Sequence, residues 1–386
     1  MKKFAIKGVL VLFFLSILPG AAFAEEALKV LEGIEIHGFA SSSYTFNFNE
    51  PTTRTPNSAT NINRIFDKDH NSFKFDVGEL VLLKETPKPG DIGFRTDVTY
   101  GFSVPEVAKS TASTGDVQTH DFDLQQGYVS YNAPIGNGLQ LDFGKFITNI
   151  GAEVIEGYDG WNYNFSRSYL FGLAIPFTHT GLRAGYTIND MISVAGMVAN
   201  GWDNTTDNNS GKTLHAQITL TPVESVSLIL NWIGGPESAN SNDVTNLFDT
   251  VLDIALTNRT LLQLNFDYGV KDNGAASGSD ATWWGVAGIV RHDYNKWFSI
   301  NLRGEFFDDE DGTRANFGST AGSATFTPGQ ELWEVSVTPE FRINQNLIVR
   351  VEYRHDQSDS RVFYDKEPGV LSKSQDTIAV NGLFYF

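Results

Sequence analysis

The sequence predicts an all-β chain, a transmembrane antiparallel β-barrel of about sixteen strands with long external loops and short periplasmic turns. Three observations carry that expectation. Segments of roughly the 9 to 11 residues that a tilted strand needs to cross a bilayer alternate apolar and polar side chains with period two. The connections between them alternate long and short along the chain, as in barrels whose loops lie on one side of a membrane and whose tight turns lie on the other. The last alternating segment closes on Leu383-Phe384-Tyr385-Phe386, and a water-soluble fold has no physical need of such an aromatic end.

In chain order the first strands fall at 34–47, 73–84, 92–102, 121–131 and 139–146, followed by a long connection, 147–177. The next are 178–188, 192–200, 213–221, 226–234, 243–257 and 260–270. The last five are 282–294, 298–308, 330–343, 347–356 and 376–386. Alternation is cleanest in Leu262–Tyr268, Ser299–Phe306 and Ile348–Arg354, where one face is aliphatic or aromatic and the other carries charge and amide. Asn189-Asp190-Met191, Asn258-Arg259 and Asn344-Gln345-Asn346 suit tight turns. The stretch Tyr169–Ile175 also reads as a strand, but a seventeenth would put the chain ends on opposite sides of the membrane, so it is assigned to the long loop. Pro339 interrupts its strand because it has no N–H to donate, and the strands at 73–84 and 121–131 lose their alternation midway, as bulges would make them do.

Ahead of this pattern, Lys2, Lys3 and Lys7 precede the apolar run Val9–Leu18, then Pro19-Gly20 and Ala22-Phe23-Ala24, the layout of a cleaved signal peptide over residues 1–24. The remainder, 25–386, is expected to be one exported barrel domain. Among 386 residues there is no cysteine, so disulfides, thiolate metal sites and cysteine nucleophiles are excluded. A net charge of −18 argues against nucleic acid, which needs a basic face. The seven histidines are dispersed, and no nucleophile elbow, Walker loop or dinucleotide fingerprint occurs. No metal, cofactor or enzymatic activity is expected.

Four segments carry a resemblance: Tyr169–Gly181, Asn200-Gly201-Trp202-Asp203, Leu302–Asp309 and Val351–Asp356. Together, in this order, they resemble the OmpL-like β-barrel porin family over nearly all of the mature chain. That resemblance implies an outer-membrane pore and leaves the solute open. The residues alone agree, because a barrel of about sixteen strands is wide enough to hold an aqueous channel. Passive diffusion of small hydrophilic solutes or ions is therefore expected, with a substrate-specific channel, a barrel-based surface enzyme or a structural protein as alternatives. For the substrate-specific case, Phe39 and Trp283 are candidates for an inward aromatic slide.

Strand phase points Arg95, Asp97, Arg183, Arg303, Glu305, Arg350, Glu352 and Arg354 into the lumen as candidate pore-lining groups. Acids outnumber bases among the inward positions, which predicts a weak preference for cations. The loop 147–177 is the candidate constriction, through Glu153, Glu156, Asp159 and Arg167, with Arg183 facing those carboxylates across the pore. Trp202, Trp283, Trp284, Trp297, Trp333 and Tyr385 are candidates for the interfacial aromatic girdles. The acidic run Asp308–Gly312 has Phe307 where a calcium loop needs an acid, so it reads as a solvated loop rather than a divalent-ion site shared with lipopolysaccharide. Expected partners are outer-membrane lipid and lipopolysaccharide, the solutes, the barrel-insertion machinery through Phe386, and further copies of the chain in a homo-oligomer.

Overall fold

The structure is a computed structural model and describes residues 33–51, 60–108, 121–315 and 329–386; the expected signal peptide lies outside these. The first strands are β1 (Glu35–Asn47), β2 (Ser72–Lys84), β3 (Ile92–Tyr100), β4 (Phe122–Ala133), β5 (Leu139–Ile147) and β6 (Thr178–Asn189). Then come β7 (Ile192–Ala199), β8 (Thr213–Val223), β9 (Val226–Pro236), β10 (Val244–Thr257), β11 (Thr260–Lys271) and β12 (Ala281–Asp293). The chain finishes with β13 (Phe298–Asp309), β14 (Gln330–Arg342), β15 (Leu347–Ser358), the short pair β16 (Phe363–Tyr364) and β17 (Leu371–Ser372), and β18 (Ser374–Tyr385). All but β16 and β17 join, each to its neighbour in sequence, into one closed antiparallel barrel of sixteen strands, in which β18 pairs with both β15 and β1. Closure leaves no strand edge with unpaired backbone groups, the condition for placing a sheet in lipid.

The irregular places have local causes. Between Ser41 and Ser42 the β1–β2 register slips by one residue of β2, at Asp76, and between Asp97 and Val98 the β3–β4 register slips at Gln125. Each bulge reverses the inward phase of the rest of its strand. In β14 the pairing with β15 skips from Val337 to Glu340, across Pro339. Gly101, at φ 145°, lets the chain turn within 2.4 Å of the Asp76 carbonyl oxygen, measured from where a Cβ would stand. Tyr169–Ile175 is no strand: Leu170–Ala174 form one π-helical turn, buried throughout.

Outside, the barrel is apolar. Phe73, Phe143, Val129, Leu182, Phe248 and Leu302 are exposed, as a lipid-facing surface requires. The rim aromatics divide in a way strand spacing alone does not resolve. Trp284, Trp297 and Trp333 point outward, whereas Trp283 and Trp202 are buried inside and Tyr385 packs on Trp161 at 4.5 Å. Residues 283 and 284 are neighbours on one strand, so only one of them can face lipid.

The main apolar cluster lies within the lumen and not between layers. It joins the loop residues Ile150, Ile155, Tyr169–Ala174 and Phe177 to Phe146, Trp283, Phe307 and Leu332 of the wall.

Candidate functional site

The loop between β5 and β6 enters the barrel and crosses it. A loop that buries its backbone without regular structure must find partners for its N–H and C=O groups. The wall supplies them. Glu79 of β2 accepts the Tyr158 N–H at 2.9 Å, Glu352 of β15 accepts those of Phe165 and Ser166 at 2.7 and 3.0 Å, and Glu305 of β13 accepts Tyr169 N–H at 2.6 Å. Asp249 of β10 takes the Gly151 N–H, at a glycine whose φ of 90° few other residues adopt.

In the opposite sense, wall side chains donate to loop carbonyls. Arg303 reaches Ser166 O, Arg350 reaches Asn162 O, Arg354 reaches Arg167 O, and Trp283 donates to Ala174 O. Charge pairing completes the seat. Arg303 binds Glu153 and Glu334 at 2.9 and 2.6 Å, and Arg350 binds Glu156 at 2.9 Å. Arg303, Arg350 and Arg354 are at most 1% exposed. Burial alone would raise the Glu156 carboxyl, but the Arg167 and Arg350 guanidiniums beside it hold it below the usual carboxylate range.

The candidate pore-lining residues are therefore inward, but most of them hold the loop. Arg303, Glu305, Arg350, Glu352 and Arg354 are covered by it, and Arg95 bridges Asp97 of its own strand to loop Asp159. Arg183 is the exception. It pairs with Asp142 of the adjacent strand at 2.9 Å and lies over the rings of Phe146 and Tyr128. The loop carboxylates expected opposite Arg183 pair with Arg303, Arg350, Arg167 and Arg95 instead, because those guanidiniums also satisfy the loop backbone or lie beside it.

The loop leans to one side. Among the described residues no hydrogen bond or ion pair joins residues 152–170 to β5–β9, whereas β2, β3, β11 and β13–β15 all hold them. Arg183 keeps 24% side-chain exposure, and the loop residues Val154 and Asp159, the latter paired with Arg95 of β3, keep 41% and 44%. Near the turn after β2, an open depression of about 360 Å³ is lined by Tyr128, Ser130, Gln140 and Asp142.

Several residues escaped the sequence reading. Glu79 lies beyond the Asp76 bulge, so simple alternation turns it the wrong way. Asp203 at the rim accepts both Phe177 and Thr178 N–H groups, fixing the loop's far end. In the acidic run, Asp309 is fully buried and accepts from Thr313, Arg314 and Ala315, so it is a loop cap rather than a solvated charge or an ion ligand. Phe39 and Trp283 do point inward, but both are buried, Trp283 beneath the loop and Phe39 against Ile348 and Leu383, so they form no exposed slide.

A family model described as "Putative beta-barrel porin-2, OmpL-like" matches residues 33–386. No curated protein matches the sequence. Solved structures do resemble the fold. The outer-membrane channel DcaP of Acinetobacter baumannii superposes with a TM-score of 0.61 at 13% identity, over 92% of this chain and 97% of that one. OmpT of Vibrio cholerae, in its trimer form, gives 0.57 at 9% identity over 92% and 99%. An anion-selective porin from Comamonas acidovorans gives the same figures, 0.57 and 9%, over 92% and 99%.

Proposed function

Because the chain belongs to the OmpL-like β-barrel porin family, we propose that it is an outer-membrane pore through which small hydrophilic solutes and ions diffuse passively, with a weak preference for cations. The observation that carries this reading is the lopsided loop. Its residues 152–170 are held from β2, β3, β11 and β13–β15, and among the described residues make no hydrogen bond or ion pair to β5–β9, an arrangement that supports narrowing of a sixteen-stranded lumen from one side. Nothing in such a passage acts chemically on the solute. Its size limit is set by the loop and the facing wall, and its charge by groups that stay accessible.

That charge supports cations. The three most deeply buried arginines are neutralised by carboxylates and cannot meet a solute. Asp159, Asp293 and Glu35 are 39% or more exposed, and among the described residues Asp253 of β10 has only Gln263 donating to it. Against them stand Arg183 and Arg342. A similar fold serves an anion-selective porin in Comamonas acidovorans, so the sign of selectivity must come from this chain's own side chains.

Refolded protein in a planar bilayer under a salt gradient tests both parts. Stepwise conductance with a reversal potential of cation sign is expected. A folded barrel that never conducts overturns the pore, and a reversal potential of anion sign overturns the preference alone. Lipid and lipopolysaccharide around the apolar exterior, assembly with further copies, and recognition of exposed Phe386 by the insertion machinery belong to the same proposal.

A further inference from the structure

One level of the wall carries a row of inward side chains in strand register: Gly185 of β6, Ala195 of β7, Gln217 of β8, Asn231 of β9 and Asp249 of β10. The last three are joined side chain to side chain. Gln217 Nε2 donates to Asn231 Oδ1 at 2.9 Å, and Asn231 Nδ2 donates to an Asp249 oxygen at 2.6 Å.

The direction of this chain is fixed from its Asp249 end. The Asp249 carboxylate also takes the Gly151 backbone N–H at 3.2 Å and Asn265 Nδ2 at 2.7 Å. The Asn265 amide cannot be turned round, because its Oδ1 accepts the Ala152 N–H. A carboxylate that gathers such donors offers only acceptor sites, so Asn231 must present its NH2 to Asp249 and its oxygen to β8. Facing that oxygen, Gln217 must present its own NH2, and His215, 3.1 Å from the same oxygen, must carry a proton on Nε2.

Gln217 Oε1 is thereby turned away from Asn231. Among the described residues nothing donates to it, and Gln217 is only half-buried, so the oxygen is not sealed from solvent. Toward β6 the wall is bare, since a Cβ at Gly185 would meet no atom within 4 Å. Arg183 and Asp142, charges of the same arc, are paired with each other at 2.9 Å. An amide that donates to a strong acceptor becomes a better acceptor at its own oxygen, so the Asp249 charge strengthens Gln217 Oε1 through Asn231.

We propose that Gln217 is a selectivity residue of the passage: the relay from Asp249 holds its Oε1 toward the lumen, where it accepts from solutes that carry N–H or O–H donors and favours cations over anions. The inference deepens the pore reading and rests on it.

Two measurements separate the geometry from the transport. NMR of the imidazole nitrogens of the refolded barrel in detergent micelles at mildly alkaline pH, with His215 identified by its loss in His215→Gln, should show the proton on Nε2. Reversal potentials in a potassium chloride gradient should give a cation-to-anion permeability ratio that falls about twofold in Gln217→Leu and rises about twofold in Gln217→Glu, as a neutral acceptor is removed or becomes a full charge. Asn231→Leu should lower the ratio as Gln217→Leu does, although Gln217 itself is intact. Among the described residues Gln217 holds no part of the loop, so its variants keep the test open if the buried Asn231 variant fails to fold. A proton on Nδ1, a ratio unchanged in either Gln217 variant, or a ratio unchanged in a folded Asn231→Leu barrel overturns the proposal and leaves the pore standing. A folded barrel that never conducts overturns the pore reading, and this inference with it.

Discussion

Two arcs of the same wall carry the same kinds of residue and put them to different use. Along β13–β15, Arg303, Glu305, Arg350, Glu352 and Arg354 are buried, and each is joined to the folded-in loop by a hydrogen bond or ion pair. Along β5 and β6, Asp142 and Arg183 pair only across adjacent strands, and the arginine remains partly exposed. An inward charge is thus not by itself a selectivity group. Where an irregular segment lies over it, it serves as the hydrogen-bond partner that the segment's backbone lacks, and only where the wall is bare does it meet the solute.

The largest effect that would break this contrast is expected from Arg303→Ala. It leaves Glu153 without its buried cation and Glu334 with only the more distant Arg354 at 3.5 Å, and losing one partner of a buried ion pair costs about 3–5 kcal/mol. Urea denaturation followed by gel mobility should show the loss, and bilayer recordings should show a larger, noisier conductance as the loop leaves its seat. Deleting residues 153–165 should raise conductance for the same reason; unchanged conductance would mean that the loop does not constrict.

Asp267→Asn is the next expected effect and has the opposite sign. Asp267 is fully buried, neither carboxylate oxygen has a hydrogen-bond partner among the described residues, and Asp249 stands directly across from it on β10. An amide there can donate to Asp249, so stability should rise by about 1–3 kcal/mol, read from the same denaturation midpoint.

A pH effect is expected at the outer rim. Burial pushes the Glu237 carboxyl up to about 7, against bonds donated by Thr213 and the Trp202 N–H. The folded state therefore holds a proton that the unfolded chain releases near its ordinary value of 4.5. Its contribution to stability is full below that value and is lost as pH rises through about 7. Glu237→Gln should flatten this part of the profile, which thermal unfolding between pH 4 and pH 8, spanning both values, would record.

The smallest stability change is expected from Arg183→Gln, within about 1 kcal/mol because its pair with Asp142 is partly solvated. Its reversal potential should nonetheless shift toward stronger cation preference. A large loss of stability with no shift in selectivity would place Arg183 with the loop-seating group and erase the distinction between the arcs.

All sixteen barrel strands were legible in the sequence, with ends within two residues, because period-two alternation is a local property that each strand carries by itself. The assignment of 147–177 to one loop was legible for the same reason, through strand parity. The position of Glu79 was not, since a single extra residue at Asp76 reverses every side chain after it. Nor were the partners of Glu153 and Glu156. Arg303 and Arg350 lie 150 and 194 residues away from them, and charge alternation along a strand says which face a residue occupies but not what covers that face. The sequence by itself determined the barrel, its strand order and its wet interior. Only the tertiary structure decided which interior charges are spent on the loop and which face the passage, because that division depends on where an irregular backbone comes to rest, and irregular backbone carries no period.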